Sequence, residues 1–449
     1  MEVNQEVAVG VIKNKMKSIF ILIGLMGLGT IVFSQEEKVY KKRVLESTEV
    51  DFLMSYYAQD GENAAVTGGI GTEELTDITP TIVISIPLND DDVLTIDAGI
   101  SAYTSASSSN VNALDIDNPN AFTTSTGASG ADTWTNVVGS YSHSSDDRNK
   151  VWTAKLSVAS EYDYFSVGLG GSYSLLFNEK NTELGISGNV YFDQWNAIYP
   201  MELRPFGDSE QNINGSYLGY SLRGNPNYSP NFKAFNDEGR NTYAIGLSLS
   251  QILSRRMQGV LMADYVIQDG LLSTPFQRVY FKDVDNTYIN DFHLAEGIEM
   301  MPGNRTKIAV GGRLNYYINE YLVLRTYLRY YSDDWGISSQ TASIEIPIKA
   351  FNRITLYPSY RYYFQTAADY FLPYDQHLST DAYYTSDYDL SEYTASQFSF
   401  GISYTDIFTK CHIGKYGVKN INLKISYYER DSGLNGMLIA GGVKFVLDK

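Results

Sequence analysis

The sequence contains one cysteine and four histidines in 449 residues. A single thiol, Cys411, forms no internal disulfide, so nothing covalent holds the fold. With so few sulfur and imidazole groups, no His/Cys/Asp cluster has the spacing of a zinc site. Basic residues are also scarce: 34 Lys and Arg stand against 52 Asp and Glu. That balance argues against nucleic acid as a partner, because phosphate binding needs basic patches. Charged residues amount to 19%, below the usual quarter of a soluble domain. Two patterns are missing as well: an apolar run of about 20 residues, the length a membrane helix needs, and any helix-period stretch longer than a few turns beyond the N-terminus.

At that N-terminus, Lys13, Lys15 and Lys17 precede the apolar run Ile19 to Phe33, and Val32 and Ser34 occupy small-residue positions before Gln35. This is the layout of a cleaved export signal. Residues 1–34 are therefore read as a signal peptide, with Met16 as an alternative start, 35–48 as a short periplasmic segment and 49–449 as one β domain. Removing 1–34 takes away three lysines and two glutamates, leaving 31 basic and 50 acidic residues and a net charge of −19.

Glycine and tyrosine, 37 of each, make up for what is missing. In DITPTIVISIPLNDDDVLTIDAGISAYT the apolar positions Ile78, Ile82, Ile84 and Ile86 alternate with Thr79, Thr81 and Ser85. After Asn89 to Asp92, Leu94, Ile96 and Ile100 alternate with Thr95, Asp97 and Ser101. A period of two is a strand with one apolar face. Such strands are expected near 49–58, 73–88, 93–105, 133–145, 150–160, 164–177, 182–194, 241–253, 257–267, 305–317, 321–332, 338–348, 353–366, 394–405, 420–430 and 436–448.

Connections decide what the apolar face touches. Every second one is short, as at 89–92, 146–149, 178–181, 253–256, 318–320 and 349–353. Those between include 106–132, 195–240, 268–305 and 365–394, long and polar, and 405–419 is an exception on the short-turn side. Short turns on one rim and long loops on the other describe a transmembrane β-barrel. The expected fold is all-β: a closed antiparallel barrel of about 16 strands in the outer membrane of a Gram-negative-type envelope, with periplasmic turns and extracellular loops. Lipid is its first partner. Tyr56, Tyr57, Trp134, Tyr330, Tyr331 and Trp335, at strand ends, are expected in the interfacial girdles.

If the apolar register faces lipid, Arg313, Arg325, Arg329, Glu345 and Arg361 point into the lumen as a basic wall. Glu49, Asp51, Asp77 and Asp97 from the first strands are expected opposite as an acidic one. Structural neutralisation inside a filled lumen is the competing reading. His143 and Ser145, two apart in YSHSSDD, resemble the pairing of membrane phospholipase barrels, but no third group orients them, so an enzyme is disfavoured. The acidic stretches at Asn89–Asp92 and Asp381–Asp389 are read as solvated loop acids rather than Ca²⁺ ligands. No metal or other cofactor is implied. Cys411, between Lys410 and His412, is a thiol whose accessibility decides whether it reacts.

The stretch from Arg329 to Ser391, beginning RYYSDDWGISS, together with TEVDFLMSYYAQDG and GISYTDIF, resembles a family of predicted outer-membrane barrels known only as a domain of unknown function. The resemblance implies fold and location and carries no activity or residue roles. Its members are often encoded beside thioredoxin-like and flavin-transferase genes, so it also implies, weakly, periplasmic redox or flavin-related partners. The functional expectation is porin-like passage or binding of small solutes. The alternative is a non-conducting barrel that docks periplasmic or surface partners in an envelope redox or flavinylation context.

Overall fold

The computed structural model describes residues 43–105, 131–206, 216–217 and 220–447. The expected signal peptide and most of the 106–132 connection lie outside them. Sixteen strands form the wall: β1 Glu49–Asp60, β2 Leu75–Pro87, β3 Asp92–Ser105, β4 Ala131–Ser144, β5 Lys150–Ser160, β6 Tyr164–Phe177, β7 Thr182–Trp195, β8 Gly239–Ser254, β9 Met257–Gly270, β10 Asn304–Tyr317, β11 Val323–Asp333, β12 Ser338–Glu345, β13 Ile354–Gln365, β14 Tyr393–Thr405, β15 Tyr416–Arg430 and β16 Asn435–Leu447. Each pairs antiparallel with the next. The last then pairs with the first, Val443 opposite Phe52 and Phe445 opposite Val50, so the sheet has no free edge. Closure is what a wall in hydrocarbon requires, since an unpaired ladder there has no water to bond.

The alternation read from the sequence becomes the two faces of this wall. On β8, Tyr243, Ile245, Leu247 and Leu249 all point outward and are 38–55% exposed. Their cross-strand partners Gly188, Ile186 and Leu184 on β7 and Tyr265, Ala263 and Leu261 on β9 continue the same apolar surface. Val310, Leu328, Phe398 and Ile425 extend it to distant strands. A soluble monomer seldom exposes a contiguous apolar patch above a few hundred Å², and this one follows the strands around the barrel. Among the described residues, both buried hydrophobic clusters lie in loops, none between the walls.

Two expectations change. The strand 338–348 ends at Glu345, because Pro347 has no N–H to give a ladder; Ile348–Phe351 forms its own short hairpin with Ile354–Leu356 across a register shift. The aromatic girdle is smaller than expected. Tyr56 and Tyr330 do face outward. Neighbours in a strand point to opposite faces, so Tyr57 and Tyr331 face inward, and Trp134 shares the inward register of Ser101. Trp335 lies in a turn, 4% exposed, with the Arg305 guanidinium 4.1 Å above its ring.

Candidate functional site

On β6 to β8 the inward face is built mostly from small and hydroxylated residues: Gly168, Gly170 and Ser172 on β6, Ser187 on β7, Gly246 and Ser248 on β8. Small side chains cannot meet across a 16-stranded ring, and barrels of this size leave a water-filled lumen. All nine sequence-derived candidates occupy the inward register, and the structure divides them into three groups.

The first group sits at the closure seam. A bulge in β15, where the register shifts between Val418 and Asn420, turns Lys419 inward, as an extra residue in one strand re-aims a side chain. Its Nζ lies 2.5 Å from Glu49 Oε1, while Lys444 Nζ lies 3.4 Å from Glu49 Oε2 and 3.1 Å from Asp51 Oδ2. The expected acidic wall is therefore neutralised at Glu49 and Asp51, by lysines that its sequence neighbours gave no reason to place there. In the second group, Asp77 accepts from Ser101 Oγ at 2.6 Å and Thr79 Oγ1 at 2.8 Å. Asp97 stands between Val83 and Val138 with no cation across the ladder.

The third group is basic. Arg325 donates to Glu345 at 2.9 Å, across the direct pairing of β11 with β12. Arg313 lies over the Tyr327 ring at 5.3 Å and Arg361 over the Tyr363 ring at 6.0 Å. Arg313, Arg329 and Arg361 remain exposed although they face the interior.

None of the nine candidates lies in the loop core at the long-loop rim. Segments 61–74, 196–206, 220–238, 271–303 and 366–392 pack together there. Arg278 and Glu202, both 0% exposed, form a two-armed pair, Nε–Oε1 2.7 Å and Nη2–Oε2 3.1 Å. The third arm of Arg278 donates to Val66 O at 3.1 Å, so one side chain ties three loops. Leu203, Tyr228, Ile289, Phe292, Leu294 and Ile298 form the apolar core around it. Gly68 and Gly69, at φ +82° and +91°, bring the first loop against Tyr280 and Ser386, where a Cβ would collide. The seam between the last two loops is a reciprocal backbone pair, Met300 N to Tyr384 O at 3.0 Å and Tyr384 N to Met300 O at 2.8 Å. The sequence signal was present in RVYF and FHLAEGIEMM, apolar runs inside what reads as a polar loop.

Titratable groups line that seam. Glu299 accepts from Thr385 Oγ1 at 2.6 Å and Thr274 N at 2.5 Å; burial, and then the Asp387 charge, push its carboxyl up to about 7. Burial and Asp389 likewise push Asp387 up to about 6. Burial lowers His377, whose Nε2 lies 2.9 Å from Thr385 O. A carboxyl raised in the folded state binds more protons folded than unfolded, so its contribution to stability falls as pH rises between the two values. The loop core is expected to lose stability from pH 4.5 to about 7 on account of Glu299, with Asp387 acting in the same direction and His377 in the opposite one. Hydrogen exchange of 271–303 and 366–392, corrected for the intrinsic pH dependence, checks this: Glu299→Gln should flatten the slope, and a slope unaltered by that change would contradict the assignment.

At the turn rim, His143 Nδ1 lies 2.6 Å from Asp92 Oδ1, whereas Ser145 Oγ donates to Asp147 Oδ1 at 2.5 Å. The histidine and the hydroxyl are thus each engaged with a different carboxylate. The Asn89–Asp92 acids are held by Arg43 on Asp90, Arg148 on Asp91 and His143 on Asp92. Among the described residues no group of three or more His, Cys, Asp or Glu side chains is placed to hold a metal ion. Cys411 is exposed, and His293 and His377 are buried in the loop core.

Among solved structures, the chain is similar to a bacterial polysaccharide outer-membrane secretin, at 9% identity over 89% of this chain and 98% of that one, TM-score 0.43. It is also similar to a mutant of the TodX monoaromatic hydrocarbon channel, at 12% identity over 90% and 91%, TM-score 0.40, and to a BenF-like porin from Pseudomonas fluorescens Pf-5, at 8% identity over 89% and 99%, TM-score 0.38. No curated protein matches it in sequence. The family described as "Protein of unknown function (DUF3570)" matches residues 23–448, which span all sixteen wall strands and the loop core, and the chain belongs to that family.

Proposed function

We propose that the barrel sits in an outer membrane, turns toward the periplasm, and passes small polar solutes through a water-filled lumen whose outer mouth is narrowed by the loop core. The observation that carries this reading is the exposure of Arg313, Arg329 and Arg361 on the inward face. A lumen packed as a plug would bury such groups or pair them. The loop core, with its own apolar centre, also favours a second reading, in which that folded surface docks a partner and nothing passes.

Conductance of the purified chain in planar bilayers separates the two. Discrete current steps are expected for the parent, and larger or longer ones for Arg278→Ala, which loosens the mouth. If neither protein conducts, passage is wrong and the docking reading replaces it.

A further inference from the structure

We propose that the basic sector on β10, β11 and β13 is a binding station for small organic anions bearing a carboxylate, a statement that names the solute class for the passage reading above. The inward charges of β9 to β13 do not cancel. Arg305 is taken by Asp333 at 2.5 Å and Arg325 by Glu345 at 2.9 Å. That leaves Lys307, Arg313, Arg329 and Arg361 against a single further carboxylate, Asp264 on β9, which pairs across the ladder with Ala309.

Register places the three free guanidiniums together. Arg329 stands opposite Gly311, two residues from Arg313 on the same strand, so the two arginines are diagonal neighbours about 7–8 Å apart at Cα. Arg361 faces Ser343, which itself faces Tyr327; it is therefore two strands across and two residues along from Arg329, about 12 Å at the usual spacings. Arginine side chains are long enough to converge over that span. Gly311, Thr341 and Ser343 between them are small, and Tyr327 is the large side chain in the row that joins Arg313 to Arg361.

The chemistry of the site follows from how these groups are held. Arg313 and Arg361 lie over tyrosine rings, which engages the face of the guanidinium and leaves its edge N–H groups free. That edge is the fork that fits a carboxylate through two parallel hydrogen bonds. Arg329 has no hydrogen bond or ion pair among the described residues. On the far wall, Asp77 and Asp97 repel the same anion, which favours the basic side. A neutral solute gains nothing from this arrangement, and a cation is opposed by it.

Equilibrium dialysis of the full chain in detergent, with labelled succinate at low ionic strength, tests the site without requiring a current. Saturable binding is expected for the parent. It should weaken about tenfold or more in the triple variant Arg313→Gln, Arg329→Gln, Arg361→Gln, because each lost charged hydrogen bond is worth about a tenfold change. Lys155→Gln, an inward cation on β5, should leave it unchanged. Should the triple variant fail to fold, Arg329→Gln alone reads the same loss on a side chain with no partner to disturb. Competition by an excess of chloride as strong as that by succinate would mean general anion attraction rather than a carboxylate station, and overturns the proposal. So does the absence of saturable binding, or binding that the arginine changes leave intact. Because the assay needs no conduction, binding without bilayer current would refute passage and leave the site standing.

Discussion

Arg278→Ala is expected to open the loop core at the long-loop rim while leaving the barrel wall assembled. The guanidinium is fully buried, holds Glu202 with two arms and reaches Val66 O with the third. Removing it strands a buried carboxylate and frees a loop carbonyl, and breaking a buried pair from one side costs about 3–5 kcal/mol. That is a large share of what a loop assembly of this size can hold in reserve. The wall does not depend on the pair, since its ladder from β1 to β16 closes through backbone bonds alone. Limited proteolysis should therefore cut within the loop segment 271–303 in the variant and spare that segment in the parent, with strand content by circular dichroism unchanged. Glu202→Gln with Arg278→Met, which removes both charges, should recover most of the loss, because the penalty belongs to the orphaned charge rather than to the missing attraction.

The second large effect concerns the outer face. Leu247 lies near the middle of β8, outward and 55% exposed, between Ile186 and Ala263. If that face meets hydrocarbon, Leu247→Arg should cost about 2–4 kcal/mol, and Ser248→Arg, one residue on and inward, far less. Urea titration of folding into lipid vesicles measures both. Equal penalties would contradict the assignment of faces, as would a mild effect at Leu247.

These two predictions draw on parts of the molecule that were unequally legible in the sequence. The wall was readable because a strand crossing lipid obeys one strong rule, apolar outward at every second residue, and Phe165, Leu169 and Tyr173 or Ile245, Leu247 and Leu249 state it plainly. The alternation also put all nine charged candidates on the inward register. It could not say which would be neutralised: Lys419 reaches Glu49 only because a bulge shifts the register by one, and such a bulge leaves no mark in a pattern of period two. Tyr56 and Tyr57, like Tyr330 and Tyr331, looked like pairs in one girdle but are split between faces by the same rule. The loop core was illegible for a different reason. Its contacts join residues as far apart as Val66 and Arg278, and loops that fold on one another have no local period to announce it.

A passage barrel needs a wall whose outward face meets lipid and whose inward face meets water. Cysteine accessibility tests this residue by residue, in a Cys411→Ser background that removes the one native thiol. Ser343→Cys and Ser359→Cys place thiols on the inward register beside Arg361 and Glu345; Ile344→Cys and Tyr360→Cys place them one residue on, facing out. With the protein in lipid vesicles, a charged, membrane-impermeant thiol reagent should modify the first two and spare the second two. Reaction at all four, or at only the outward pair, would contradict it.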